Sequence, residues 1–344
     1  MRIAVLGNRR HDTVISRFGR PCPERYGRRA LEKVVHTLRD AHDPVAYLEA
    51  DTTVLTELQR FMPGDPVTGR PAGLVFNMAY GIQGDCRYTH VPAMLEMAGI
   101  PYTGSSPLGH ALALDKVVTK ILIRDAGVPT PAFTVMRRGA DPVHGLRFPL
   151  VVKPRHESTS FGLHLVHDRR ELDAAVSRVT EQYEQEALVE EYVDGREVSI
   201  GLLGNDPVEL LPPVELDFAT RELRLVSWDD KHHRRQDEPA KVCPARLAPE
   251  ELRRLNEIAE TTFRACHCRD YARVDIRLDR NGQPYVLEIN SMASLGAGGS
   301  FVRAAGVAGY GFAALVNRIV DLAHARYFGL AAPRAAATQV VAGR

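Results

Sequence analysis

The stretch from Ala272 to Asn290, Ala-Arg-Val-Asp-Ile-Arg-Leu-Asp-Arg-Asn-Gly-Gln-Pro-Tyr-Val-Leu-Glu-Ile-Asn, carries the strongest chemical signal in the chain. Asn281-Gly282 is the favoured pair for a two-residue type I′ turn, and fixing the turn fixes the strand register. That register sets Asp275 opposite Glu288 and Arg273 opposite Asn290, all on one face because strand side chains alternate. Val274, Ile276, Leu287 and Ile289 take the other face. Two carboxylates across a ladder repel unless a cation lies between them. A hard oxygen set of Asp, Glu and an Asn amide suits Mg2+ bridged to phosphates, an ion that takes few protein ligands and fills its shell with substrate oxygens. A solvated polar face, with Arg273 and Arg277 neutralising the acids, has the same spacing. Spacing alone leaves the two readings level.

Further candidates lie upstream. Lys153 closes the apolar strand Phe148-Pro149-Leu150-Val151-Val152 and is followed by Pro154-Arg155-His156-Glu157-Ser158-Thr159-Ser160-Phe161-Gly162. Hydroxyls, a glycine and free backbone N–H groups between two strands are what a phosphate-cradling loop needs. A plain surface turn has the same composition, and no G-x-x-x-x-G-K-[ST] motif is present. Lys116, in Leu114-Asp115-Lys116, reads by itself as a surface helix lysine, and Glu190-Glu191-Tyr192-Val193-Asp194-Gly195-Arg196-Glu197 as an acidic strand edge leaving into a glycine turn.

The elements that must position these residues alternate between strand-like and helix-like from the start, which argues for an α/β protein. Residues 2 to 6, Ala46 to Glu49 and Leu74 to Asn77 read as short buried strands, and Tyr26 to Leu38 and Val91 to Met97 as helices, together a small doubly wound unit. Gly7-Asn8-Arg9-Arg10 replaces G-x-G-x-x-G after the first strand, so no dinucleotide fingerprint is present. One helix is expected over Leu108 to Arg124, ending before Gly127-Val128-Pro129. An α+β unit follows, with strands at Leu150 to Lys153, Gly162 to Val166 and Leu188 to Val193 and a helix from Arg170 to Gln182. Strands at Val198 to Gly201 and Val208 to Leu211 precede a charged loop. A helix over Pro249 to Ala265, the hairpin, and a last helix from Gly311 to Tyr327 complete the pattern. The segment from Ala331 to Arg344 reads as a frayed, disordered tail.

Composition narrows the function. The 344 residues carry 44 Lys+Arg against 43 Asp+Glu, a formal charge of +1, so no global basic field holds a nucleic acid or an anionic membrane. No apolar run approaches a membrane span. The five cysteines (Cys22, Cys86, Cys243, Cys266, Cys268) are odd in number and scattered, which suits reduced thiols in a cytoplasmic protein. Cys266-His267-Cys268 lacks a second Cys/His pair at zinc spacing and reads as ordinary thiols.

Taken together, Lys116, Lys153, the Ser/Thr loop, Glu190, Glu197, Asp275, Glu288 and Asn290 follow in an order and spacing that resembles the ATP-grasp superfamily, and within it the D-alanine–D-alanine ligase family. The resemblance spans about residues 74 to 327. Its diagnostic stretches are Gly99-Ile100-Pro101-Tyr102-Thr103-Gly104-Ser105, Ala113-Leu114-Asp115-Lys116, Val151-Val152-Lys153-Pro154, Val189-Glu190-Glu191-Tyr192, Cys243-Pro244-Ala245, Ala272-Arg273-Val274-Asp275 and Leu287-Glu288-Ile289-Asn290. It implies a small doubly wound N-terminal domain over 1–106, an α+β central lobe over 107–196 and a C-terminal α+β lobe over 197–329, with ATP between the two lobes. By the resemblance Glu190, Glu191, Tyr192 and Val193 line the adenine, Glu197 holds the ribose, and Lys116 and Lys153 neutralise phosphate. The loop of Glu157, Ser158, Thr159, Ser160 and Gly162 closes over the γ-phosphate, and Asp275, Glu288 and Asn290 hold two Mg2+ ions. Arg273 stabilises the developing oxyanion, with Thr159, Ser160 and Lys231 completing the catalytic set.

The departures from the family pattern fall at the substrate end. Asp12 is the nearest acid where the family places a glutamate for the first substrate's ammonium. Tyr80-Gly81 stands for its His-Gly, Lys231-His232 for its Lys-Tyr, and Asn290-Ser291-Met292-Ala293-Ser294, with Gly296 displaced, for its Asn-Thr-x-Pro-Gly. Asp12, Tyr80, His232 and Gly296 are therefore the substrate candidates. The implied activity is ATP-dependent amide formation between a carboxylate and an amine, both amino acids, through an acyl phosphate, in a cytoplasmic homodimer without nucleic-acid or membrane partners. An authentic D-alanine–D-alanine ligase and a nucleotide-sensing protein without turnover are the alternatives. The basic run Lys231-His232-His233-Arg234-Arg235 lacks interleaved aromatics and reads as an active-site loop.

Overall fold

The computed structural model describes residues 1–10, 24–143, 145–219, 221, 224–225 and 239–329. Asp12, Lys231, His232, Cys22 and the segment from Ala331 onward lie outside them.

The first strand, β1 (Arg2–Gly7), is apolar enough to be buried on both faces and pairs in parallel with β2 (Val45–Glu49) and β3 (Gly73–Asn77), in the order β2-β1-β3. Helix α1 (Arg28–Arg39) presents Leu31, Val34, Val35 and Leu38 as one stripe. Helices α2 (Val54–Phe61) and α3 (His90–Met97) cover the opposite face through Val54, Leu58, Val91 and Leu95.

The single helix expected over Leu108 to Arg124 is two, α4 (Pro107–Leu114) and α5 (Lys116–Asp125). Asp115 breaks it: its backbone is extended at φ −78° and ψ 97°, and its carboxylate accepts the Val117 and Val118 amides. A capping acid has overridden a continuous helical pattern. The break makes Lys116 the first residue of a new helix.

A four-stranded antiparallel sheet follows, β4 (Phe133–Met136), β5 (Leu150–Pro154), β6 (His164–Val166) and β7 (Ala187–Glu191), in the order β4-β7-β5-β6. Helix α6 (Arg169–Tyr183) seals it with Leu172, Val176 and Val179. The last sheet is built from β8 (Gly195–Gly204), β9 (Val208–Leu210), β10 (Val214–Asp217), β11 (Ala240–Val242), β12 (Tyr271–Asp279) and β13 (Pro284–Asn290). It runs β11-β10-β8-β12-β13, with β9 also on β8. Helices α7 (Pro249–Ala265), α8 (Ser300–Val307) and α9 (Phe312–Phe328) pack against it or beside it. Sequence patterning misses α2, β4, β10, β11 and α8, all short elements whose stability comes from the neighbours they pack on.

The apolar interior is shared unequally. Ile3, Val5, Leu74 and Phe76 of the parallel sheet form one continuous core with Leu203, Tyr271 and Phe301 and with Leu315, Ile319 and Ala323 of α9. The four-stranded lobe keeps a core of its own around Leu150, Val152, Leu172 and Val189. Asp270, fully buried, adds a polar tie to the larger block: its carboxylate accepts from the Gly104 amide at 2.8 Å, from Asn205 Nδ2 at 2.9 Å and from Arg326 at 2.9 Å. Among the described residues no helix is long and apolar enough to cross a membrane.

Candidate active site

The two carboxylates meet, by a route the turn residues do not announce. Three residues, Arg280, Asn281 and Gly282, separate Asp279 from Gln283, whose carbonyl accepts the Asp279 amide at 3.0 Å. Asp279 Oδ1 accepts the Asn281 amide at 2.8 Å and the Gln283 amide at 2.9 Å, and only Gly282 is left-handed, at φ +77°. A type I′ turn needs two left-handed residues, so the side-chain cap of Asp279 selects the longer loop. Near the loop the ladder is therefore one residue off the expected register, with Leu278 opposite Pro284 and Ile276 opposite Val286. A β-bulge then restores it, leaving Leu287 without a partner, so that Asp275 faces Glu288 and Arg273 faces Asn290. In consequence Val286 joins the core in place of Leu287, which is half-buried.

On the polar face Arg273 grips Asp275 with two parallel bonds, Nε to Oδ1 and Nη2 to Oδ2, both 2.7 Å. Burial works against the Arg273 charge, but the Asp275 carboxylate outweighs it and keeps the guanidinium firmly protonated. Asn290 Nδ2 donates to Asp275 Oδ2 at 2.9 Å and lies 3.5 Å from Glu288 Oε1. Two carboxylates and an amide thus converge from adjacent strands. As a donor set they fit a hard divalent cation. Among the described residues no group of three or more His, Cys, Asp or Glu gathers anywhere, and the ribbon itself offers two carboxylates and an amide.

The lysines and Glu190 converge as well. Glu190 is buried on β7 and takes Lys153 Nζ at 2.5 Å on one oxygen and Lys120 Nζ at 2.7 Å on the other. Burial opposes its charge, yet the two ammonium groups hold its carboxyl down at about 2. Burial, with Lys153 adding, pushes Lys120 down to about 8, against the pull of Glu190. Lys116 donates to the Glu157 carbonyl; its pKa is lowered by burial, while Glu288 and Glu157 oppose the shift and Lys153 and Arg87 add to it. Glu197, on β8, accepts from Arg277 Nε at 3.2 Å, and the same guanidinium donates to the Val193 carbonyl at 2.7 Å and lies 5.1 Å from the Tyr192 ring. Glu191 points the other way and pairs with Arg147. Alternation along β7 places it outside the cluster that Glu190 joins.

The loop between β5 and β6 is tied into this cluster. Thr159 and Ser160 are left-handed at φ 56° and 61°, and a Cβ on left-handed Gly162 would stand 2.7 Å from Pro154 Cγ. Glu157 accepts from Arg87 Nη2 at 3.2 Å and from Gln185 Nε2 at 2.8 Å. The hydroxyls of Ser158 and Tyr88 both donate to Glu24, and they lie 3.4 Å apart. Tyr80 stacks on Tyr26 at 5.1 Å and 13° and lies 5.2 Å from Tyr88. Burial first, then Tyr26 and Glu24, raise the Tyr80 phenol well above its ordinary range. Tyr26 also reaches the segment after Asn290, accepting the Leu295 amide at 3.2 Å. Gly296 follows, its amide on Ser294 Oγ at 3.2 Å.

The family model described as D-ala D-ala ligase C-terminus matches residues 122–321. The chain belongs to the D-alanine–D-alanine ligase family. Membership makes it an ATP-dependent ligase that forms C–N bonds on an ATP-grasp fold. A D-alanine–D-alanine ligase of Syntrophobacter fumaroxidans is 36% identical over 238 residues, 68% of this chain and 75% of that protein. An uncharacterised protein, y4sG, of Sinorhizobium fredii is 53% identical over 334 residues, 96% of this chain and 98% of the relative. In fold the chain is similar to a Bacillus anthracis D-alanine–D-alanine ligase crystallised with ATP, with a TM-score of 0.73, 21% identity and coverage of 94% of this chain and 96% of that one.

Within this family member, four residues at the site escaped the sequence reading. Lys120 lies one helical turn beyond Lys116, a spacing that could have signalled a shared face. Glu24, Tyr88 and Arg87 reach the loop from the N-terminal unit, and no local pattern links them to it.

Proposed function

We propose that this ligase joins two amino acids through an amide bond, cleaving ATP to ADP and phosphate, with a substrate end altered from that of D-alanine–D-alanine ligases. The single observation that carries the reading is the ribbon that sets Asp275 opposite Glu288 and Arg273 opposite Asn290, with Arg273 gripping Asp275.

ATP would lie between the four-stranded lobe and the six-stranded sheet, adenine toward Glu190, Tyr192 and the Val193 backbone, ribose toward Glu197. Glu190 is ionised and can accept from an exocyclic amine, while Lys153 and Lys116 meet phosphate charge. Asp275, Glu288 and Asn290 would hold Mg2+, which when bound neutralises charge between the β- and γ-phosphates. The substrate carboxylate attacks the γ-phosphate to form an acyl phosphate, and the second amine displaces phosphate. No protein nucleophile is needed, so positioning and charge carry the rate. Arg273 is fixed by Asp275 and presents its remaining N–H groups where the carbonyl oxygen gains charge. Residues Glu157 to Gly162 cover the phosphates and keep water from the acyl phosphate.

The altered substrate end rests on the Tyr26–Tyr80–Tyr88 array, on Ala293-Ser294 in place of Pro-Gly, and on Glu24. Among the described residues Glu24 is the carboxylate at Ser158, suited to a substrate ammonium.

The test is phosphate release from ATP across pairs of D- and L-amino acids, with mass spectrometry of the products. The expected result is at least one pair giving both phosphate and a condensed product. Nucleotide binding without amino-acid-dependent phosphate release from any pair would overturn the reading in favour of an ATP-binding regulator. Activity confined to D-alanine would identify the substrate end as unaltered in function.

A further inference from the structure

Arg87 belongs to the N-terminal unit, in a short 3-10 turn (Arg87–Thr89) that lies far in sequence from the phosphate loop. Its guanidinium is 3% exposed, a costly place for a charge that has no partner. Both of its terminal nitrogens are spent on the loop, Nη1 on the His156 carbonyl at 3.0 Å and Nη2 on Glu157 Oε2 at 3.2 Å. The next residue, Tyr88, meets the next loop residue, Ser158, at 3.4 Å, and both hydroxyls donate to Glu24. Two successive residues of one unit therefore hold two successive residues of another. The loop they hold contains Thr159 and Ser160 in the left-handed region, a conformation that a β-branched residue adopts only when its surroundings impose it.

We propose that Arg87 is a positioning residue that locks the phosphate-covering loop against the N-terminal unit, so that the loop stays shut while the acyl phosphate exists. The inference rests on the ligase reading above and goes beyond it by assigning the shutter to a residue of the N-terminal unit, outside the nucleotide and metal sets named there. Without Arg87 the loop opens, water attacks the acyl carbon, the bond from that carbon to the phosphate oxygen breaks, and the amino acid returns as its carboxylate with free phosphate. Phosphate is then released without amide.

The experiment compares the full-length protein with Arg87→Lys, Arg87→Met and Glu157→Gln. Hydrogen exchange is followed by mass spectrometry with Mg2+ and β,γ-imido-ATP, a probe that requires no amino acid. Exchange of the amides from His156 to Gly162 is expected to rise about tenfold or more in Arg87→Met and Glu157→Gln, and less in Arg87→Lys, with β12 and β13 unchanged. With whichever amino-acid pair the wild type ligates best, phosphate released per amide formed should rise severalfold, with a smaller change in KM for ATP. Unchanged loop exchange in both Arg87→Met and Glu157→Gln would overturn the proposal. So would faster exchange spread equally over β12 and β13, which marks a merely structural residue. Glu157→Gln supplies the answer if Arg87→Met does not fold. If the wild type ligates no pair, the ligase reading fails while the exchange data still decide the role of Arg87.

Discussion

Asp275 faces Glu288 across the β12–β13 ribbon, and the pairing depends on a bulge that cancels the extra residue of the turn. Two acids at this separation favour a cation between them, and the Arg273 fork is turned onto Asp275. Glu288→Gln keeps the shape and removes the charge. Turnover is expected to fall by about 100-fold or more, with ATP affinity changed far less, because a metal site loses a charged ligand. Phosphate release across a Mg2+ titration checks this; wild-type turnover at saturating Mg2+ would take Glu288 out of the metal site.

Lys153→Ala takes from buried Glu190 one of the two lysines that neutralise it and leaves Lys120 on the other oxygen. Stability should drop by about 1–3 kcal/mol, the range for leaving a buried polar group short of a partner, and ATP binding should weaken. Calorimetric titration with ATP and denaturant unfolding read the two effects separately. Adding Glu190→Gln to Lys153→Ala should recover part of the lost stability without recovering ATP affinity.

Glu24→Gln removes the carboxylate shared by Ser158 and Tyr88. The KM of the amino acid that binds first should rise by about tenfold or more, the scale of a lost charge-assisted hydrogen bond, while the KM for ATP stays near wild type. An equal rise in both would place Glu24 at the nucleotide instead.

His110 packs beneath the site with Nδ1 2.8 Å from Ser291 Oγ, and burial pushes its pKa down to about 4 from 6.5. Above pH 6.5 the ring is neutral in the folded and unfolded chain, and its contribution is flat. Between 6.5 and 4 the unfolded chain takes up a proton that the folded chain refuses, so stability falls as pH falls, by about 3 kcal/mol in total. Denaturant unfolding from pH 7 to pH 4 should show that slope flattened by this amount in His110→Asn. An identical slope in both proteins would show that the ring does not titrate in this way.

The residues proposed to hold nucleotide and metal could be picked out of the sequence because they sit inside periodic elements: Lys153 at the end of an apolar strand, Glu190 in another, Asp275 and Glu288 on a ribbon with alternating faces. The ribbon's acids were placed opposite each other through a two-residue turn that does not form; the Asp279 cap lengthens the loop and the Leu287 bulge compensates. Neither device leaves a mark in hydrophobic patterning. Asp115 was hidden for a related reason, since a helix broken by one capping residue keeps nearly the periodicity of an unbroken one. Lys120 resembles any exposed lysine until β7 is packed against it. Glu24 stands 134 residues from Ser158, and contacts of that range are a property of the folded chain.

The continuous core that joins the parallel sheet to α9, together with the Asp270 tie, makes those two parts a fixed anvil. The four-stranded lobe, with its private interior, is the hammer. Widening the cleft therefore costs few apolar contacts, and what it must break is polar: the Arg87–Glu157 pair and the Ser158–Glu24 bond. A compound that wedges the hammer away from the anvil could stop the reaction without resembling either amino acid.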